Sequence, residues 1–205
     1  MRIAILVEGK TERAFIPHLR KFLDTRLAGR MPRLDCNSFD GRLPTRDRLR
    51  RIVKRLLTDH RQPADAVIAL TDVYTGTNPP EFTTAAVAKD KMTQWVRGEP
   101  RFHAAAAQHD FEAWLLPYWE EIKRLAGSNR DAPAGAPEDV NHHQPPSARI
   151  SEVFRTGTKK RAYIKARDAG RILKDKDLTV AADRCPELKS FLNTVLKICG
   201  GSLIP

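Results

Sequence analysis

The stretch Ile3-Ala-Ile-Leu-Val-Glu-Gly-Lys-Thr-Glu12 decides the fold. Its first half, residues 3–7, is an unbroken apolar run with β-branched members, which is typical of a buried strand in a parallel sheet. Glu8 is therefore predicted at the carboxyl end of a central strand, and Glu12 in the first turn of the helix that follows. Because open α/β sheets bind ligands at this edge, the sequence delivers two carboxylates to the functional rim.

The residues around these two carboxylates allow more than one interpretation. Glu12 is favourable near a helix N-terminus for electrostatic reasons alone, whereas Glu8 is costly to bury unless it is paired, hydrogen-bonded or bound to a metal. Thr11 is a suitable N-cap for the helix. The tripeptide 9–11, Gly-Lys-Thr, resembles the end of a phosphate-binding P-loop, but that motif requires a glycine where this chain has Ala4, so we exclude it.

A second apolar run, residues 64–71, ends in Asp72 in the same way. Alternating strands and helices predict a doubly wound α/β sheet, and neighbouring central strands in it would bring Glu8 and Asp72 close together. An aspartate after a strand is also a common turn former or helix cap, and both interpretations stay open at this point.

The remaining periodicity continues the α/β alternation. Helices are predicted at residues 11–27, 45–60 and 84–96, from about Asp110 onward, at 163–173 and after Pro186, and strands at 33–39 and 101–108, where four alanines leave a helix open. Glu112 falls in the first turn of the helix that starts near Asp110, from where it can point to the same rim. The aromatic residues of that helix are expected in the core rather than as a base-stacking platform.

Composition divides the chain into three parts. Residues 1–126 form the predicted α/β domain, a Rossmann-like, mostly parallel sheet with helices on both faces. Residues 127–146 are rich in Gly, Pro, Ala, Asn and Asp without periodicity, so we expect a flexible loop or linker. Residues 147–205 are expected to form a basic, helical C-terminal extension that packs on the same domain.

The net charge of +11 is spread unevenly along the chain. Residues 1–61 carry 16 basic and 7 acidic side chains, residues 62–148 carry 7 and 12, and residues 149–176 carry 10 and 3. An acidic centre between basic flanks suits a polyanion held by the flanks and metal ions held in the middle, although a basic solvated surface without a partner is the alternative. The candidates for nucleic-acid contacts are Lys10, Arg46, Arg50, Lys54, Lys159, Lys160 and Arg161.

Cysteine and histidine usage gives little sign of other metal or redox chemistry. Cys36, Cys185 and Cys199 are odd in number and lack metal-type spacing, which favours a reduced, cytoplasmic setting. The two histidines at 142–143 have no third spaced ligand. No N-terminal segment has the apolar length of a signal peptide or a membrane span, so no membrane association is expected.

The chain resembles a known family at several separate places. Residues 6–12, Leu-Val-Glu-Gly-Lys-Thr-Glu, followed by the strand that ends in Asp72, resemble the TOPRIM domain of topoisomerases, primases and overcoming-lysogenization-defect nucleases. Nearly the whole chain is similar to a bacterial TOPRIM-like family called domain of unknown function 4276. The similarity includes residues 109–116, the Tyr163-x-Lys165 segment and Cys185-Pro186.

This resemblance implies a set of metal ligands. In TOPRIM domains the strand-end Glu and an Asp-x-Asp pair hold one or two Mg²⁺ ions, and Glu8 and Asp72 match the first two members. The second Asp is replaced by Tyr74, which removes one ligand and bears on two-metal catalysis. In the overcoming-lysogenization-defect nucleases a Glu four residues after the first also serves the metal, which matches Glu12. Their later acidic residue and lysine correspond to Glu112 and Lys165.

We therefore expect a TOPRIM-type enzyme. Carboxylate oxygens without His or Cys select Mg²⁺ or Mn²⁺, such an ion polarises a scissile phosphate or activates water, and Lys165 would neutralise developing charge. The first hypothesis is a metal-dependent nuclease acting on DNA or RNA. The second is a non-catalytic TOPRIM module that binds metal, nucleotide or nucleic acid. It would act as a sensor or partner subunit in an anti-phage or mobile-element system. An ATPase partner protein and a homodimer are further possibilities. The third is a phosphate-transferring or nucleotide-hydrolysing enzyme for a small substrate.

Overall fold

A computed structural model of the chain describes residues 1–39, 41–74, 80–140 and 144–205. Within these ranges four strands form one parallel sheet in the order β2-β1-β3-β4. The strands are β1 (Arg2–Val7), β2 (Arg33–Ser38), β3 (Ala66–Asp72) and β4 (Phe102–Ala107). The two most apolar runs of the sequence, β1 and β3, lie side by side in the centre, as expected for strands that are buried on both faces.

The helices between and after the strands complete the α/β architecture. They are α1 (Lys10–Asp24), α2 (Arg46–Leu57), α3 (Ala85–Trp95), a 3-10 helix (Phe111–Tyr118), α4 (Trp119–Ala126), a short 3-10 helix (Pro137–Asp139), α5 (Pro146–Thr156), α6 (Lys165–Ile172), α7 (Leu178–Ala182) and α8 (Pro186–Ile198). None of the helices in the described part of the chain is long and apolar enough to cross a membrane.

The central strand β1 contributes to two hydrophobic cores because its side chains alternate between the faces of the sheet. Ile3, Ile5 and Val7 join the core that contains α1 and the C-terminal helices. Ala4 and Leu6 join the opposite core, which α2 and α3 cover. The expected parallel sheet with helices on both faces is thereby confirmed.

Four aromatic side chains connect α1, the first 3-10 helix and α8. The Trp114 ring lies 5.3 Å from Phe111 and 6.0 Å from Phe191, and Phe15 lies 5.5 Å from Phe111, all between ring centroids. These rings are almost fully buried. Two of the pairs are edge-on and the Trp114–Phe191 pair is stacked, and aromatic pairs at such distances stabilise a core beyond simple area burial. The aromatic residues after β4 are therefore core residues, as the sequence predicted.

The segment after β4 differs from its predicted conformation. It begins as a 3-10 helix of eight residues, and only Trp119–Ala126 is α-helical. Pro117 lies inside the 3-10 part, where its missing amide hydrogen and fixed φ are better tolerated than in a regular α-helix. Helix α7 was not predicted, because its five residues are too few to show a helical period.

The start of α1 also differs in detail from the prediction. Gly9, not Thr11, is the N-cap residue, and the Glu12 side chain accepts a hydrogen bond from the Gly9 amide at 3.0 Å. Thr11 is buried inside the first turn. Pro17 lies within one uninterrupted helix. The dipeptide Asp-Gly at 40–41 predicts a turn, but residue 40 lies outside the described residues, as does the histidine pair 142–143.

The C-terminal helices share a core with the sheet. Ile150, Phe154 and Leu192 belong to the same buried cluster as Ile5. Within the described part of 127–146, Val140 is 1% exposed and Glu138 accepts a hydrogen bond from Trp114 Nε1 at 3.0 Å. The division into a domain at 1–126, a linker at 127–146 and an extension at 147–205 stays a prediction.

Ile5→Ala is expected to destabilise the protein by about 2–5 kcal/mol, because it removes a fully buried side chain from the middle of β1 and leaves a cavity. Denaturant unfolding followed by circular dichroism measures this change. Val180→Ala, at a site that is 49% exposed, is the control and should change the free energy of unfolding by less than about 0.5 kcal/mol. Equal effects of the two substitutions would contradict the assignment of β1 to the core.

Candidate functional site

Acidic residues from three neighbouring strands meet at the carboxyl edge of the sheet. Glu8 directly follows β1, and Asp72 is the last residue of β3. Strand β1 pairs with β3, and Asp72 is in register with Ala107 at the end of β4. Glu8 and Asp72 therefore share one edge, and the segment after β4 brings further acids to it.

The Glu8 carboxylate is held against β3. It is 7% exposed, and the Thr71 hydroxyl donates a hydrogen bond to its Oε1 atom. Burial raises the pKa of Glu8 to about 7, although the hydrogen bond from Thr71 opposes the shift. At neutral pH this carboxyl group therefore exchanges readily between its protonated and charged forms.

Glu12 both caps helix α1 and faces the other acids. It is 6% exposed, and the hydrogen bond from the Gly9 amide accounts for one of its oxygens. Burial raises the pKa of Glu12, and the negative charge of Asp110 adds to the shift while Lys165 opposes it. The helix-dipole interpretation and the functional interpretation of Glu12 are thus compatible.

Asp72 lies at the electrostatic centre of the group. The Phe111 amide donates a hydrogen bond to its Oδ1 atom at 2.9 Å, which ties the segment after β4 to the end of β3. Burial raises the pKa of Asp72 well above its usual value, and four neighbouring carboxylates raise it further. In order of their effect, these neighbours are Glu12, Asp110, Glu8 and Glu112.

Glu112 is 1% exposed and faces a lysine and a tyrosine. Lys165 Nζ lies 3.3 Å from its Oε2 atom, and the Tyr163 hydroxyl lies 3.4 Å from Oε1. Burial and the charge of Asp110 raise the pKa of Glu112 to about 7. Burial works against the charged form of Lys165, but the surrounding carboxylates outweigh it and raise the lysine's pKa.

A buried aspartate fixes the segment that carries Tyr163 and Lys165. Asp168 is fully buried and accepts hydrogen bonds from the Ile164 amide and from Arg161, both at 2.8 Å. Burial opposes the charged form, but hydrogen bonds from Arg167, Arg161 and the Ile164 amide outweigh it and lower the pKa of Asp168 to about 2. Asp168 therefore stays charged and holds the turn before α6 against the site.

Asp110 also belongs to the acidic group, although the sequence analysis treated it only as the start of a helix. It is 3% exposed, and the Ser147 amide donates to its Oδ2 atom at 3.1 Å. Its Oδ1 atom is buried without a hydrogen-bond partner in the described part of the chain. The signal that could have revealed it is the pair Asp110-x-Glu112, which begins three residues after the end of β4 and so resembles the acids at the ends of β1 and β3.

Tyr74, which replaces the second Asp of the TOPRIM pair, supplies no carboxylate. Its side chain is 62% exposed, and its amide donates to the His109 carbonyl at 2.7 Å. Asp110 lies next to His109 in the chain and provides an acid close to Asp72. Among the described residues, five carboxylates belong to this group: Glu8, Glu12, Asp72, Asp110 and Glu112.

The seven basic candidates lie on separate parts of the fold and do not form one patch with the acidic cluster. Lys10 is exposed at the start of α1 and Arg46 at the start of α2. Arg50 and Lys54 line a cavity of about 530 Å³ together with Arg97. In the C-terminal region Arg161 is held by Asp168, Lys159 donates to the Arg124 carbonyl at 2.9 Å, and Lys160 is exposed.

The chemistry of the acidic cluster fits a hard divalent cation. Its donors are carboxylate oxygens only, the Asp110 Oδ1 atom lacks a partner, and mutual repulsion disfavours the charged forms, which a cation would relieve. As their side chains stand, no three His, Cys, Asp or Glu residues in the described ranges are arranged as ligands of one ion. Side-chain rotations away from their present protein donors would therefore accompany metal binding.

Comparison with solved structures defines the class of fold. The C-terminal region of the Burkholderia pseudomallei OLD protein is similar with a TM-score of 0.54 and 16% identity, over 97% of this chain and 98% of that one. The C-terminal region of the Xanthomonas campestris pv. campestris OLD protein is similar with a TM-score of 0.51 and 16% identity, over 97% and 96%. The chain therefore shares the α/β fold of these regions, which is consistent with the TOPRIM-like fold expected from the sequence.

The sequence family agrees with this fold. The model of the family described as domain of unknown function DUF4276 matches residues 7–196, and the chain belongs to that family. No curated protein sequence matches it. The resemblance found in the sequence is thereby confirmed.

Glu8→Gln is expected to stabilise the metal-free protein at pH 8. Because the folded-state pKa of Glu8 is about 7 against an ordinary 4.5, the native state binds more protons between these values, and stability falls as pH rises through that window. Thermal unfolding in a chelator should give the variant a Tm several degrees above wild type at pH 8, since 1 kcal/mol corresponds to about 2–4 °C in a domain of this size.

The difference in Tm should shrink as the pH falls towards 4.5. Glu120→Gln is the matched control, because its side chain is 86% exposed, and it should leave Tm unchanged at both pH values. A Glu8→Gln variant that melts below wild type at pH 8 would contradict the electrostatic description of the site.

Proposed function

We propose that the protein is a metal-dependent phosphodiesterase that cleaves nucleic acid, with Mg²⁺ or Mn²⁺ bound at the acidic cluster. The observation that carries this proposal is the convergence of five carboxylates and Lys165 at the carboxyl edge of the sheet. Membership of the DUF4276 family and the TOPRIM-like fold support it.

The proposed metal ligands come from the cluster itself. Glu8 and Asp72 stand at the ends of adjacent strands and are the first choice. The Oδ1 atom of Asp110 has no hydrogen-bond partner in the described part of the chain. Glu12 and Glu112, which both act electrostatically on Asp72, are the remaining carboxylate ligands. A bound divalent ion would polarise a phosphate oxygen and lower the pKa of a water molecule.

Protons at Glu8 and Glu112 couple this site to pH. Each carboxyl group has a pKa of about 7 and is therefore partly protonated under neutral conditions. Because carboxylates bind metals in the charged form, metal binding would release these protons. Activity should accordingly rise with pH through the neutral range.

Lys165 is the proposed phosphate-facing cation. Its side chain is 53% exposed, so the ammonium group reaches solvent while it contacts Glu112. A lysine fixed in this way neutralises charge that develops on a phosphate in the transition state. Tyr163 contacts Glu112 through its hydroxyl group, and Asp168 fixes the turn that carries the lysine.

A second candidate function is a non-catalytic TOPRIM module that binds nucleic acid or nucleotide. Tyr74 favours it, because the side chain at this position offers no metal ligand and points largely to solvent. The ATPase partner, the homodimer, the role in anti-phage defence and the cytoplasmic location remain predictions from the sequence.

Glu8→Gln should reduce metal-dependent cleavage at least about 100-fold, because even outer-shell partners of a metal ligand are worth 10- to 100-fold. The measurement is incubation of plasmid, single-stranded DNA and RNA with the protein in Mg²⁺, Mn²⁺ or a chelator. Glu120→Gln should cleave like wild type.

Two outcomes would contradict the enzymatic proposal. Cleavage that persists in the chelator or in Glu8→Gln would remove the metal site from the mechanism. Tight, salt-sensitive binding by wild type without cleavage in any of these conditions would support the non-catalytic module instead.

Lys165→Met is expected to lower the cleavage rate by about 10²–10³-fold at saturating metal, because it removes a preorganised charge next to the reacting phosphate. The affinity for Mn²⁺, measured by isothermal titration calorimetry, should be retained. Lys165→Arg restores the charge and should recover part of the rate. Unchanged cleavage in Lys165→Met would exclude the lysine from the reaction.

A further inference from the structure

A second cavity opens beside Glu8 at the same edge of the sheet. Its volume is about 800 Å³, and most of its described lining comes from residues 38–39 and 41–45, at the end of β2 and before α2. Polar and charged lining residues of this cavity are Ser38, Arg42, Thr45, Arg48 and Glu81. None of the seven basic residues selected from the sequence lines it.

Backbone hydrogen bonds fix this cavity to the acidic cluster. The Phe39 amide donates to the Val7 carbonyl at 3.0 Å, and the Gly41 amide donates to the Glu8 carbonyl at 3.1 Å. Gly41 has a φ of +121°, which a residue with a side chain rarely adopts. The buried Leu43 anchors the other end of the segment. The wall of the cavity is therefore built onto the end of β1.

The charges along this wall favour an anion. Arg42 and Arg48 are both exposed, and Arg42 is close enough to lower the pKa of Glu8 electrostatically, against the larger opposing effect of burial. In the described part of the chain the Arg48 guanidinium has neither an ion pair nor a hydrogen bond. Thr45 is the exposed N-cap residue of α2, and its side chain makes no capping hydrogen bond. Among the described residues that line the cavity, Glu81 is the acidic one.

We propose that this cavity is a phosphate subsite, in which Arg42 and Arg48 bind a phosphate group of the nucleic-acid strand adjacent to the one at the acidic cluster. The identity of that strand as the substrate rests on the proposed function. Guanidinium groups pair well with phosphate oxygens. A phosphate held next to Glu8 would keep the strand in register with the acids, so the subsite favours a polynucleotide over a mononucleotide.

The other basic cavity provides an internal comparison. Helix α2 runs back from the carboxyl edge, because the Leu56 carbonyl near its end accepts a hydrogen bond from the Ala64 amide just before β3. Arg51 lines the cavity of about 530 Å³ with Thr58 and Arg97, near the C-terminal ends of α2 and α3. Arg48 and Arg51 thus lie on one helix with equal charge but face different cavities.

The test is fluorescence anisotropy of a labelled single-stranded 20-mer, titrated with wild type, Arg48→Ala, Arg48→Lys and Arg51→Ala in a chelator. Arg48→Ala should weaken binding about tenfold, as expected for a hydrogen bond to a charged group. For Arg48→Ala, the slope of log K against log salt concentration should become less steep by about 0.7, which is the contribution of one phosphate contact in a single strand. Arg48→Lys should retain most of the affinity, and Arg51→Ala should bind like wild type. Circular dichroism melts verify that each variant is folded.

Three probe strands distinguish the source of the phosphate. Equal losses for Arg48→Ala on circular, 5′-hydroxyl and 5′-phosphorylated strands indicate an internal phosphodiester. A loss confined to the 5′-phosphorylated strand indicates a terminal phosphate, and both results support the subsite. No loss on any strand, equal losses in Arg48→Ala and Arg51→Ala, or no binding by wild type would overturn it.

This outcome is separable from that of the proposed function, because binding in a chelator requires neither metal nor cleavage. If cleavage depends on Glu8 but Arg48→Ala binds the strand as tightly as wild type, the subsite alone is overturned. Binding that depends on Arg48 without any cleavage would overturn the nuclease alone and leave the subsite in place.

Discussion

The repulsion among buried carboxylates is the constraint on which this site depends. The carboxyl ends of the strands of a parallel sheet lie at one edge. Acids at or just after the ends of β1, β3 and β4 are therefore brought close together. Burial then raises the free energy of their charged forms, as the raised pKa values of Glu8, Asp72 and Glu112 indicate. The fold tolerates this arrangement because protein donors and one lysine compensate part of the repulsion.

Those compensating contacts explain the design of the surrounding structure. The Thr71 hydroxyl donates a hydrogen bond to Glu8, the Phe111 amide donates to Asp72, and the Lys165 ammonium group donates to Glu112. The lysine comes from the C-terminal region, and the buried Asp168 fixes the turn before it. The C-terminal helices therefore contribute to the site as well as to the core, which gives a physical reason for their packing on the sheet.

The sequence predicted the sheet and the central acids well because both depend on local patterns. Apolar runs at 3–7 and 64–71 indicate the two central strands, and Glu8 and Asp72 are the next residues after these runs. Asp110 was not recognised as a site residue because its role depends on the pairing of β4 with β3, and the alanine-rich β4 left a helix open. The cavity at Arg42 and Arg48 was equally invisible, because a loop conformation creates it and no periodicity encodes that conformation.

The most direct test of the account is an anomalous difference map from crystals soaked in Mn²⁺. A peak is expected at the carboxyl edge of the sheet, about 2.1 Å from oxygens of Glu8 and Asp72, as hard cations of this size require. The same map from Asp72→Asn crystals should show a weaker peak or none. A Mn²⁺ peak elsewhere on the protein, with none between these two carboxylates, would contradict the central claim that the acids form one cation site.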